Sequence, residues 1–144
     1  MDPPPTEGGI VIQIQDIDHI VLRVRDLERM ISFYCDVIGC KVEWRRPERG
    51  LVHLRAGSCM IDLVNVDGPT GQRGGPAPGA DGHNLDHLCL RVKGFEVEPL
   101  VKHLEKHGIE VGRIADRFGA DGRGMSIYMK DPEGNTVELK GAKP

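Results

Sequence analysis

The sequence predicts an α+β fold: two tandem βαβββ modules forming a cup-shaped mixed sheet with the helices on its outer face. Three observations carry that prediction. Asp18-His19-Ile20-Val21-Leu22-Arg23-Val24-Arg25 returns as Asp86-His87-Leu88-Cys89-Leu90-Arg91-Val92-Lys93, with five of eight positions identical. A second echo sits late in each copy, where Ile61-Asp62-Leu63 matches Val137-Glu138-Leu139. Between the copies, residues 67–84 are dominated by glycine and proline and show no periodicity, which makes them a linker.

Module one is expected over 16–66 and opens with a strand at 16–25. A helix follows from Asp26, a good N-cap residue, to Gly39, placed for a left-handed C-cap. Leu27, Met30, Ile31, Tyr34, Val37 and Ile38 fall on one helical stripe. Strands fit at 41–46, 51–56 and 59–66, with Ala56-Gly57-Ser58 making a tight hairpin between the last two. Module two, 85–140, repeats the order. A strand at 85–93 precedes a helix near 96–107, with Val97, Leu100, Val101 and Leu104 on one face. Pro99 is tolerable there only in the first turn, and Gly108 ends the helix. Strands are expected at 109–114, 125–130 and 135–140, with a turn at Asp131-Pro132-Glu133-Gly134-Asn135. The glycine-rich stretch from Arg117 to Gly124 is expected to be a loop acting as a mobile flap.

Composition narrows the class. The 144 residues suit one domain, expected over 10–143 after a disordered tail at 1–9, and 39% apolar content is enough for a core. A net charge of −3 leaves no electrostatic footprint for nucleic acid. No run is long enough to span a bilayer, and Met1-Asp2-Pro3-Pro4-Pro5 lacks the basic and apolar parts of a secretory signal. The expectation is a cytoplasmic protein whose Cys35, Cys40, Cys59 and Cys89, with no Cys-x-x-Cys spacing, are reduced thiols.

Strand alternation locates a candidate site. Ile20, Leu22 and Val24 share one face, and His19, Val21 and Arg23 the other. In the second copy Leu88, Leu90 and Val92 oppose His87, Cys89 and Arg91. The same split sends Asp62 and Glu138 to the face of the histidines. Two imidazoles and two carboxylates on one surface are the ligand set of a divalent metal, so His19, Asp62, His87 and Glu138 are the candidate ligands. Aspartate at 62 is shorter than its repeat partner by one C–C bond, about 1.5 Å.

Hairpin register adds two neighbours. A two-residue turn at 57–58 puts His53 opposite Asp62, and a five-residue turn at 131–135 puts Tyr128 opposite Glu138. His53 and Tyr128, with Glu138, are the candidate catalytic groups; ordinary cross-strand packing is the competing reading for the first two. Arg23 and Arg91 are candidates to hold an anionic substrate, against solvated strand ends. Cys89 is a soft ligand or small filler. His83, His103 and His107 read as surface residues.

Four segments together resemble the vicinal oxygen chelate superfamily of glyoxalase I, extradiol dioxygenases, fosfomycin-resistance enzymes and bleomycin-resistance proteins. They are Asp18-His19-Ile20, Phe33-Tyr34-Cys35-Asp36-Val37-Ile38-Gly39, Asp86-His87-Leu88, and Asp131-Pro132-Glu133-Gly134-Asn135-Thr136-Val137-Glu138-Leu139. The resemblance covers about 16–140 and is nearest to the glyoxalase-domain-containing, lyase-like branch, through Met125-Ser126-Ile127-Tyr128 before the Asp-Pro turn.

The resemblance implies one divalent metal in the cup (zinc, nickel, manganese, cobalt or iron(II)), with His19, His87 and Glu138 at the regular ligand positions and Asp62 at the fourth. It implies a homodimer and a small substrate that chelates the metal through two adjacent oxygens. Glyoxalase I normally has glutamate where this chain has Asp62. The activity expected is a metal-dependent lyase or isomerase. The alternatives are a small iron(II) ring-cleaving dioxygenase and a metal-free, bleomycin-resistance-type protein that sequesters its ligand.

Overall fold

The computed structural model describes Asp2 and residues 11–143; the remainder of the tail expected at 1–9 lies outside the described residues. Two four-stranded mixed sheets are present, one per module, each built the same way. In the first, β1 (His19–Val24) runs parallel to β4 (Cys59–Asn65), which pairs antiparallel with β3 (Leu51–Ala56). β2 (Lys41–Arg46) pairs antiparallel with the far edge of β3. In the second, β5 (Leu88–Val92) is parallel to β8 (Thr136–Gly141), followed by β7 (Gly122–Lys130) and β6 (Ile114–Gly119). The repeat seen in the sequence is therefore a repeat of topology.

The helices begin and end where their caps require. α1 (Leu27–Ser32) starts after Asp26, whose side chain accepts from the Arg29 N–H. It then widens into a π-helical turn, Phe33–Val37, closed by an Ile38 N–H to Phe33 C=O bond. Phe33 and Tyr34 are both buried there, edge to face with ring centroids 5.0 Å apart. Gly39 follows at φ +97°, a conformation that favours glycine. α2 (Val97–Lys106) carries Pro99 in its first turn and ends before Gly108 at φ +72°.

The apolar faces of both modules merge into one core, which includes Leu22, Met30, Tyr34 and Leu63 from the first and Leu104, Ile127, Val137 and Leu139 from the second. Each large aliphatic side chain buried there contributes about 1.5–3 kcal/mol of transfer free energy. Polar ties cross the same seam. The Tyr34 hydroxyl donates to Asp131, and the Glu133 carboxylate accepts from the Arg25 and Asp26 N–H groups. Asn84 donates to Asn135. The Asp131–Asn135 segment is a turn, as expected, and also the clasp between modules. His103, expected at the surface, is half-buried, with Nε2 2.7 Å from the Val37 carbonyl.

Module two departs from the sequence reading in one place. The expected strand at 109–114 is absent; Gly112 and Arg113 bond only to Tyr128, and the ladder starts at Ile114. The expected flap at Arg117–Gly124 is a β-hairpin with a two-residue turn at Ala120-Asp121. Gly122, at φ +93°, serves the turn, whereas Gly119 and Gly124 answer close approach. A Cβ on Gly119 would stand 2.9 Å from Lys140 Cε, and one on Gly124 2.9 Å from Lys140 Nζ. Glycine in a strand leaves room for the lysine lying across it.

Candidate metal centre

Each sheet presents a histidine and a carboxylate on the face turned away from the core. β1 alternates as expected, with Leu22 and Val24 buried and His19 and Val21 open. β5 does the same with Leu88 against Cys89. In both histidines Nδ1 is tied to the preceding aspartate: His19 to Asp18 at 2.7 Å and His87 to Asp86 at 2.6 Å. A carboxylate on Nδ1 fixes the tautomer and leaves Nε2 as the ligating nitrogen, the outer-shell arrangement of metal-bound histidines. The Asp18 hydrogen bond, and then the Asp62 charge, raise the His19 pKa above the ordinary imidazole value.

The second module's pair is in contact, with His87 Nε2 3.2 Å from Glu138 Oε1. Glu138 is buried, and its other oxygen accepts a 2.6 Å hydrogen bond from the Ser126 hydroxyl. Burial pushes this carboxyl up; donation from Ser126 and Tyr128, the His87 charge and Cys89 outweigh it, so the net shift is downward. Glu138 is thus an anion at neutral pH. Tyr128 pairs with Glu138 in the register expected, and Arg117 Nε donates to its hydroxyl at 3.2 Å.

In the first module Asp62 is buried opposite His53, whose Nδ1 lies 2.9 Å from Asp62 Oδ1. His53 Nε2 is buried with no hydrogen-bond partner, and the Trp44 ring stacks on the imidazole at 5.6 Å. An unpartnered ring nitrogen is costly to bury.

Each half therefore has the donor chemistry that suits a divalent cation. Among the described residues, though, no three His, Cys, Asp or Glu side chains converge closely enough to hold a metal ion. The expectation that His19, Asp62, His87 and Glu138 surround one point is not met within a single chain. The structure brings together His53 with Asp62, and His87 with Glu138.

Arg23 is engaged by the linker, not left as a solvated strand end. Its guanidinium donates to the carbonyls of Gly71, Gly74, Gly75 and Pro76 and so fastens the linker. Its repeat partner Arg91 pairs with Asp121 at the hairpin tip, 3.0 Å away. Four residues escaped the sequence reading: Ser126, Trp44, and Asp18 and Asp86 as partners of Nδ1. Only the aspartates had a signal, since Asp-His repeats as a unit. No described helix is long and apolar enough to cross a membrane.

The sequence matches the family model of the Glyoxalase/Bleomycin resistance protein/Dioxygenase superfamily over residues 16–139. It is 32% identical over 137 residues to the virulence protein STM3117 of Salmonella typhimurium, covering 91% of this chain and 87% of that protein. It is 28% identical over 141 residues to the mitochondrial methylmalonyl-CoA epimerase of Mus musculus, covering 94% and 78%. An integron cassette protein from the mobile metagenome of V. cholerae superposes with a TM-score of 0.72 at 26% identity, covering 93% of this chain and 100% of that one. The superfamily's name spans glyoxalases, bleomycin resistance proteins and dioxygenases, and its members generally carry a divalent metal. The chain belongs to the Glyoxalase/Bleomycin resistance protein/Dioxygenase superfamily.

Proposed function

We propose that this protein is a metal-dependent enzyme of lyase or isomerase type, acting on a small substrate that offers two adjacent oxygens. The observation that carries this reading is the twice-built pair. In each module an aspartate-oriented histidine shares its open sheet face with a buried carboxylate, and in the second module its Nε2 already meets that carboxylate.

Because each module presents half of the donors on an open face, the complete site is composite. In a two-fold dimer, His19 and Asp62 of one copy meet His87 and Glu138 of the other, twice over. Val21 and Trp44, about half exposed on the same first-module face, are apolar surface that a second copy would cover.

A metal held by His19, Asp62, His87 and Glu138 would supply Lewis acidity toward the substrate oxygens. The chain supplies the rest. Glu138, held ionised by Ser126, stays an acceptor. His53, oriented through Nδ1 by Asp62, has an unshared Nε2 that can take a proton from a substrate carbon. Tyr128, whose hydroxyl accepts from Arg117 and directs its own proton to Glu138, stays a neutral phenol that fixes the carboxylate, since burial raises its pKa.

The test is complementation by metal content. His19→Ala and His87→Ala dimers should each hold almost no metal. A mixed dimer of the two has one intact composite site and one doubly defective one, and should recover half of the wild-type content. No recovery in a verified mixed dimer overturns the composite site; full wild-type metal in both single variants overturns the ligand assignment. Metal-loaded protein would then be screened with hemithioacetals, catechols and 2-oxo acids, with oxygen uptake recorded. Oxygen consumption on a catechol would replace the lyase reading with a dioxygenase.

A further inference from the structure

Resting on that reading of His87 and Glu138 as part of the reaction centre, we propose that Lys140, with Arg91, holds an anionic group of the substrate beside it. The group is a compact oxyanion, a carboxylate or a phosphoryl.

A cavity of about 220 Å³ opens next to the pair, lined by His87, Cys89, Arg91, Asp121, Glu138 and Lys140 among others. Lys140 follows Glu138 by two residues on β8 and so points to the same face. It is 8% exposed, and among the described residues it makes no ion pair and no side-chain hydrogen bond. Its stem is buried while its ammonium opens to the cavity, and a cation held in place this way commonly has an anionic partner. Arg91 is its direct neighbour on β5, a cation opposite a cation, which is unfavourable unless something negative lies between.

The two acids in the cavity are already engaged. Asp121 is paired with Arg91, and Glu138 with His87 and Ser126. One cation is left unanswered at the cavity wall. The room for it is built in, because a side chain on Gly119 or Gly124 would collide with the lysine stem or its ammonium. An oxyanion between Lys140 and Arg91 would satisfy both through charge-assisted hydrogen bonds.

The test uses full-length protein titrated calorimetrically with inorganic phosphate and, separately, acetate, at constant ionic strength. Lys140→Met removes the charge and keeps the stem. Gly124→Ala keeps the lysine and displaces its ammonium, so a folding defect in the first variant does not end the experiment. Wild type should saturate, and both variants should weaken the preferred anion about tenfold, the scale of one lost charge-assisted bond, with metal content unchanged. Preference for phosphate assigns a phosphoryl group, and preference for acetate a carboxylate. Equal affinity in wild type and both variants, or no saturable binding of either anion in wild type, overturns the proposal. His87→Ala separates the two readings: lost metal with retained anion binding supports both, whereas a wild type that binds the anion but no metal leaves the lysine subsite standing and removes the metal centre.

Discussion

Tyr34→Phe deletes one oxygen at the seam between modules, and its cost can be worked from the geometry. The Tyr34 hydroxyl is fully buried and donates to Asp131 Oδ2 at 2.7 Å. Burial, reinforced by the Asp131 charge, raises the phenol far above its usual range, so it remains a donor throughout the working pH range. Asp131 is itself buried and keeps three other donors: the N–H groups of Glu133 and Asn135 at 2.9 Å and the Asn135 amide at 2.8 Å. A hydrogen bond to a charged group contributes about 1.5–3 kcal/mol, and the remaining donors favour the lower half, about 2 kcal/mol. For 144 residues the unfolding entropy is about 300 cal/mol/K, so the expected fall in Tm is about 7 °C. Urea unfolding with an unchanged m-value, repeated in an Asp131→Asn background, isolates the pair. A loss below about 0.5 kcal/mol, or the same loss with and without the carboxylate, refutes the reasoning. The bond matters beyond stability, because Asp131 organises the turn that launches β8 and hence places Glu138.

Arg23→Ala should free the linker. Trypsin cleavage at Arg73 is expected to accelerate about tenfold or more, and an unchanged rate would show that the four carbonyls are held by something else. Glu138 has a folded pKa below the ordinary glutamate value, so its contribution to stability is complete above that value and is lost as pH falls through the lowered one. Glu138→Gln should therefore be less stable than wild type at pH 7, with the gap closing in acid; a gap that widens as pH falls contradicts the sign. The Cys89 thiol is pushed up to about 11, first by burial and then by the Glu138 charge. At pH 8 only about one molecule in a thousand carries the thiolate, so iodoacetamide labelling mapped by mass spectrometry should be slow at Cys89 and rise about tenfold per pH unit. Rapid labelling at pH 7 would count against this environment.

Periodicity was a reliable guide where one face of an element is buried and the other is open. It placed β1–β5, both helices and the His53–Asp62 and Tyr128–Glu138 registers, because a one-residue slip would have turned Ile61 or Leu139 out of the core. It failed at 109–124, where glycine has two opposite meanings. Gly119 and Gly124 look like loop residues, yet they are strand residues made small by Lys140, a neighbour distant in sequence. Arg23 was ambiguous for a related reason. What its guanidinium reaches, the carbonyls of a turn about fifty residues away, leaves no pattern in the flanking residues.

The sequence alone determined the duplicated module, the faces of its strands and which side chains share the open surface, since these follow from local alternation and from copying. Tertiary structure decided that the two modules meet through their apolar faces around the Tyr34–Asp131 and Glu133 ties. It also set the contacts of the two carboxylates, His53 on Asp62 and His87 on Glu138. How two sheets dock depends on the summed fit of many small contacts between residues far apart in the chain, and no periodicity along the chain encodes that sum.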